Sequence, residues 1–173
     1  MFECSRPALA AVLALGLSAC GQAENKAADE AAPAPAPAAA AAPAASSLPS
    51  VDAESARQFA TGEDTFEALT FDRTGATTVK GLVRGDAAPV YAVPVAAGQT
   101  LTVTFVPANT NLYINVSDAA DHSGAALHRG AVDGQTATLK AERDMTFVIT
   151  PYQPRAMARR NETGEFSLTV ARD

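Results

Sequence analysis

The sequence predicts an all-β fold: a single antiparallel β-sandwich of about eight short strands, following a disordered Ala/Pro-rich linker. Three observations predict it. Beyond Val51, apolar and polar residues alternate with period two over many short segments. Those segments are rich in Val, Thr and aromatic residues and are bounded by Gly, Pro, Asn or Asp. Before Val51 there are few large apolar side chains, so nothing offsets the entropy of ordering the backbone there.

Residues 1–19 contain an apolar run from Pro7 to Ala19. A stable membrane-spanning helix needs about 20 apolar residues, so this run reads as a removable signal segment. Leu17, Ser18 and Ala19 stand directly before Cys20, with Gly21 after it. That arrangement resembles the signal of bacterial lipoproteins, which are cut before the cysteine and acylated on its thiol and new amino group. The resemblance implies a lipid anchor at Cys20, and several acyl chains at about 0.8 kcal/mol per buried CH₂ hold firmly. Gly21, with no Asp at that place, implies the outer membrane and a periplasm-facing domain. A plain secretory signal cut nearby is the other reading. With Cys20 acylated and Cys4 removed, no thiol remains for a disulfide framework or a cysteine zinc site.

Residues 20–50 form a tether. Pro33-Ala34-Pro35-Ala36-Pro37 favours extended polyproline II, and the prolines limit any helical turn in Ala38 to Ala42. At about 3.1 Å per residue, some 30 residues reach on the order of 90 Å when stretched.

Residues 51–173 leave about 120 residues for one ordinary domain. Asp52 to Ala60 reads as a short helix anchored by Phe59. Strands are expected over Phe66 to Phe71, Thr77 to Val83, Val90 to Val95, Thr100 to Val106, Leu112 to Ser117, Thr136 to Leu139, Met145 to Thr150 and Glu165 to Val170. In Thr100 to Phe105 the Leu, Val and Phe fall on one face and the threonines on the other. Ala97-Gly98-Gln99 fits a tight turn before that strand, and Asp133-Gly134 fits a hairpin turn. Pro94 has no N–H for a ladder, which predicts an edge position or a bulge.

The formal net charge of −6 argues against nucleic acid as a partner, since binding it takes a basic face. Against that acidic background Arg155, Arg159 and Arg160 form a compact basic patch, with Tyr152 and Met157 beside it. Long ordered loops in compact domains are more often functional than idle, and arginine grips a carboxylate with two parallel hydrogen bonds. The other reading is a solvated loop whose arginines pair with Glu162 and Glu165 to little effect.

The order of motifs carries a resemblance as well. Gly81-Leu82-Val83-Arg84-Gly85, Tyr91, Ala97 to Val103, Asn111 to Val116 and Phe166 to Val170 resemble the bacterial pre-peptidase C-terminal domain, a jelly-roll-like sandwich. Val148 to Asn161, with Arg155, Ala158, Arg159, Arg160 and Asn161 as spaced, resembles the periplasmic inhibitors of goose-type lysozyme. This implies a non-enzyme that binds lysozyme by inserting an arginine-bearing rim loop into its cleft, with Tyr152, Arg155, Arg159, Arg160 and Asn161 as contacts and no cofactor. A muramidase cleft presents carboxyl groups to meet such a loop. Asp86, after Gly85, departs from the family's aromatic loop residue, and Ala156-Met157 replaces a more polar pair. Two alternatives belong to other classes: an envelope module that binds glycan or a secreted protein, and a calcium-stabilised structural module. Asp118, Asp121 and His122 would serve the last, since hard cations take oxygen ligands, though their spacing matches no known cation loop and a simple Asp-rich turn is the favoured reading. His122 and His128 belong to no zinc pattern and are expected on the surface. Ser117 and Ser123 near His122 lack a nucleophile-elbow sequence, so no hydrolase assembles.

Overall fold

The computed structural model describes residues 48–71 and 75–173. The signal segment, Cys20 and nearly all of the tether lie outside the described residues. Within them the chain runs α1 (Ala53–Arg57), β1 (Thr65–Ala68), β2 (Gly75–Arg84), β3 (Pro89–Val95), β4 (Thr100–Pro107), β5 (Tyr113–Asp118), β6 (His128–Arg129), α2 (Gly130–Asp133), β7 (Thr136–Lys140), β8 (Met145–Tyr152), α3 (Arg155–Ala158) and β9 (Thr163–Arg172). All eight expected strands form, and the two-residue β6 is added.

Two sheets result, ordered β1-β3-β8-β5-β6 and β2-β9-β4-β7. Alternation decides what each sheet buries. Leu101, Val103 and Phe105 of β4, Phe166, Leu168 and Val170 of β9, Tyr91, Val93 and Val95 of β3, and Phe147 and Ile149 of β8 meet in one core. Gly81 lies opposite Phe166 in the β2–β9 ladder, and a Cβ there would come within 2.3 Å of the Phe166 ring. The missing side chain lets that ring pack against Phe105 and Tyr91.

The ladders are antiparallel with one exception, which corrects the purely antiparallel expectation. β1 runs parallel to β3, with Thr65 opposite Pro89 and Ala68 opposite Ala92. The chain leaves the first sheet after β1, forms β2 in the second and then returns, and two reversals restore its direction. Pro94 is second from the edge, yet its position satisfies proline. Ala92 O accepts from Leu69 N on the β1 side, so the backbone of Pro94, two residues on, faces the same way but beyond the end of β1.

The expected hairpin at Asp133-Gly134 is corrected too. β6 and β7 belong to different sheets, so this turn carries the chain across the sandwich, with Gly134 at φ 96°. His128, expected on the surface, is buried and its Nε2 donates to Gly134 O over 2.8 Å.

α1 is the helix expected near Phe59. The Asp52 carboxylate caps it by accepting from Ser55 N, and Asp52 N donates to Thr146 Oγ1. Ala56, with Phe59 and Phe66, covers Val90, Ala92 and Val148 on the outer face of the first sheet in a second small core.

Candidate functional site

The arginine segment connects β8 to β9 at one end of the sandwich. It is not an irregular loop: Pro154 opens it, α3 makes one turn, and a Schellman closure ends it, with Asn161 N donating to Ala158 O and Glu162 N to Met157 O. Such a closure needs a left-handed residue, and Asn161 supplies it at φ 55°. Asparagine tolerates that conformation better than most residues with a side chain. Asn161 therefore shapes the turn as well as lying exposed upon it.

The turn is fastened to the β2–β3 connection. Arg84 and Ala87 exchange backbone hydrogen bonds around Gly85-Asp86, and Gly85 at φ 58° gives the twist that a two-residue hairpin favours. Gly85 N donates to Glu162 O, and the buried Gln153 donates its amide to Gly85 O and Glu162 O alike. A Cβ on Gly85 would meet Asn161 Oδ1 at 2.8 Å. Asp86 is exposed beside this junction. Next to it a cleft of about 200 Å³ lies between Phe59, Asp86, Thr150 and Tyr152.

The three arginines do not act alike. Arg155 and Arg159 are exposed one helical turn apart, with Arg159 N bonded to Arg155 O, so their side chains share a face. Neither guanidinium has a partner among the described residues. Arg160 instead turns to its own segment: Nε pairs with Glu162 at 2.6 Å and Nη2 lies 2.6 Å from Met157 Sδ. Pairing with local acids thus describes Arg160, and Glu165 takes no part. Tyr152 is half-buried at the root of the turn, its ring 5.8 Å from that of Tyr113. Burial, then Tyr113, push its hydroxyl pKa up, and Arg129 counters them.

The other candidates serve their own loop. Asp118 pairs with Arg143 at 2.5 Å and accepts from Ala120 N, while Asp121 accepts from Ser123 N. Ser123 holds the Asp121 carboxyl below its ordinary range. His122 packs its ring 5.6 Å from Phe59, and Ser123 Oγ accepts from Ala125 N. Among the described residues no three His, Cys, Asp or Glu side chains gather in a group that could hold a metal ion.

Sequence reasoning missed Gln153 and the helical form of the turn. The signal was there: Pro154 opening a run of helix formers, with Asn161 after it.

Fold and rim together define a two-sheet β-sandwich with a stapled cationic turn at one end. Among solved structures this chain is similar to PliG of Aeromonas hydrophila, a periplasmic lysozyme inhibitor of g-type lysozyme. Identity is 28%, the TM-score 0.58, and the match covers 64% of this chain and 98% of that one. It is also similar to PliG of Salmonella Typhimurium, at 20% identity and TM-score 0.49 over 65% of this chain and 100% of that one. The pre-peptidase C-terminal domain of a Bacillus anthracis collagenase matches at 19% and 0.46, over 64% and 96%. The A. hydrophila protein is one of the inhibitors whose arginine segment the sequence resembles. No protein-family model and no curated protein matches the chain.

Proposed function

We propose that this chain is an envelope lipoprotein, anchored at Cys20 and facing the periplasm from the outer membrane, that binds and inhibits a lysozyme of the goose type. The turn bearing Arg155 and Arg159 enters the enzyme's cleft, with Tyr152 at its root. The observation that carries this reading is the pair of exposed, unpartnered guanidinium groups on a turn that Gln153 holds in one shape. A preorganised loop loses little entropy on binding, and its arginines meet carboxyl groups that glycoside hydrolysis requires. Similarity to the A. hydrophila inhibitor over nearly its whole length supports the same reading.

The placement of the ends supports a tethered role. The chain enters the domain at Asp52 beside Thr146, near the start of β8, and the arginine turn follows the other end of that strand. Eight residues of strand span roughly 25 Å, so the turn points away from the tether's attachment. Confinement beside peptidoglycan raises effective concentration.

The test is inhibition of goose-type, chicken-type and invertebrate-type lysozymes by the purified chain. Inhibition of the goose-type enzyme at micromolar concentration is expected, and inhibition of none of the three ends the reading. Cys20→Ser is expected to abolish incorporation of labelled palmitate and release the protein from the membrane fraction.

A further inference from the structure

The outer face of the first sheet is covered over only part of its width. Ala56 and Phe59 pack on Val90, Ala92 and Val148, with Ala119 just after β5 joining the same cluster. Beyond it, register places Tyr113 opposite Tyr152, and Asn115 between Thr150 on one side and Arg129 on the other. Partners in register share a face, and the neighbouring Ile114 and Val116 point into the core, so these five side chains lie together on the outside. All but Arg129 are half-buried, while Arg129 is exposed.

This face is chemically unfinished. Asn115 Oδ1 is buried with no hydrogen-bond partner, which is uncommon in a folded protein. Among the described residues neither tyrosine hydroxyl nor the Arg129 guanidinium makes a hydrogen bond or an ion pair with a carboxylate, although the Arg129 charge acts on Tyr152. The tyrosine rings lie 5.8 Å apart and tilted by 37°, and the cleft between Phe59 and Tyr152 continues the surface on the other side. Aromatic rings, a hydroxyl and a cation thus share one outer face, of which Thr150 and Tyr152 also line the cleft.

A pyranose ring offers an apolar C–H face to an aromatic ring and hydroxyl or amide groups around its edge. A carboxylate on that sugar gives a guanidinium two hydrogen-bond acceptors. We propose that this face binds a carboxylated amino-sugar glycan of the N-acetylmuramyl type, with sugar rings on Tyr113 and Tyr152, ring substituents at Thr150, and the carboxylate at Arg129. Charge complementarity selects this occupant: a neutral amino-sugar chain would match the rings and leave Arg129 unused on a chain of net charge −6. The proposal shares Tyr152 with the lysozyme reading but does not depend on Arg155 or Arg159, so variants of those arginines and of Arg129 separate the two.

The experiment titrates the full chain with soluble muramyl-containing glycan fragments and, separately, with neutral N-acetylglucosamine oligomers, by calorimetry and amide chemical-shift mapping. Muramyl fragments are expected to bind at least tenfold more tightly than neutral oligomers and to shift the amides of β5, β6 and the end of β8. Tyr113→Ala and Arg129→Gln are each expected to weaken that binding tenfold or more. Arg129→Gln, on an exposed side chain, keeps the melting temperature and guards against misfolding of the tyrosine variant. The Arg155→Ala, Arg159→Ala double variant is expected to bind glycan unchanged. Absence of glycan binding, equal affinity for the neutral oligomers, or shifts on another face overturns the proposal. So does perturbation of Tyr113 and Arg129 by lysozyme, or by a second copy of the chain, in place of glycan.

Discussion

The side-chain amide of Gln153 donates to Gly85 O across 68 residues of sequence, over 2.9 Å, and the same nitrogen reaches Glu162 O at 2.9 Å. One nitrogen therefore ties the β2–β3 connection to both ends of the arginine turn. Gln153→Ala is expected to leave Gly85 O without its donor, while Glu162 O keeps the Gly85 N–H. That costs about 1–3 kcal/mol per unsatisfied buried group. Urea unfolding is expected to show a lower midpoint with unchanged slope, and limited proteolysis to cut first between Pro154 and Asn161.

The unlike surroundings of the three arginines predict unlike variants. Arg155→Ala and Arg159→Ala remove exposed groups without internal partners, so each is expected to leave the melting temperature within about 3 °C, since surface changes usually stay within ±0.5 kcal/mol. Each is expected to weaken lysozyme inhibition tenfold or more, because close charge pairs across an interface couple by roughly 1.5 to 7 kcal/mol. Arg160→Ala, already paired with Glu162, is expected to change inhibition by less than threefold. Inhibition constants and melting curves measured together separate these outcomes. Equal loss from all three variants would show that charge alone, rather than this geometry, governs binding.

Legibility followed the strength of local pattern. β4 was legible to within a residue because Leu101, Val103 and Phe105 alternate with threonines without interruption. β6 was not, since two residues carry no period, and the parallel course of β1 depends on which sheet β2 joins, which no local pattern encodes. The basic patch could be read from composition, but its division into two free arginines and one paired arginine could not. That division comes from the Schellman closure, which brings Glu162 back beside Arg160. The expected last strand stops at Val170, whereas β9 runs on to Arg172, which continues the inward alternation of Phe166, Leu168 and Val170.

Arg172 is wholly buried, and its guanidinium donates to Pro94 O at 2.8 Å and lies 4.0 Å over the Phe71 ring. It joins the last strand of one sheet to the other sheet, and burial pulls its pKa down. Arg172→Ala removes a large packed side chain and the donor to Pro94 O, so a loss of about 3 kcal/mol or more is expected. Arg172→Lys is expected to recover only part, because an ammonium lacks the planar face that stacks on Phe71. Chemical denaturation of the two variants checks the order.

At the acid end, α1 reports on a single carboxylate. Ser55 holds the Asp52 carboxyl below its ordinary pKa of 3.8 through hydrogen bonds to the charged form. Between the folded and unfolded values the unfolded chain binds more protons, so this contribution is complete above pH 3.8 and disappears as pH falls through the folded value. Asp52→Asn keeps a capping oxygen without the titration. Denaturation midpoints measured from pH 6 to pH 2.5 are expected to fall less steeply in that variant than in the parent.

At the alkaline end the sign reverses. Tyr91 is buried between the sheets, and burial first, then the Glu67 carboxylate, push its phenol from 10.0 up to about 12. Between those values the unfolded chain has released a proton that the folded one retains, so stability falls as pH rises. The contribution is intact below pH 10 and is lost as pH climbs through the folded value near 12. Tyr91→Phe removes the titrating group while keeping the ring that meets Phe166 edge-on at 6.4 Å. Its stability is expected to match the parent near pH 8 and to exceed it progressively above pH 10. Parallel curves for the two proteins up to pH 11.5 would mean that the phenol titrates in the folded domain as it does in water, and that Tyr91 is more open to solvent than its packing implies.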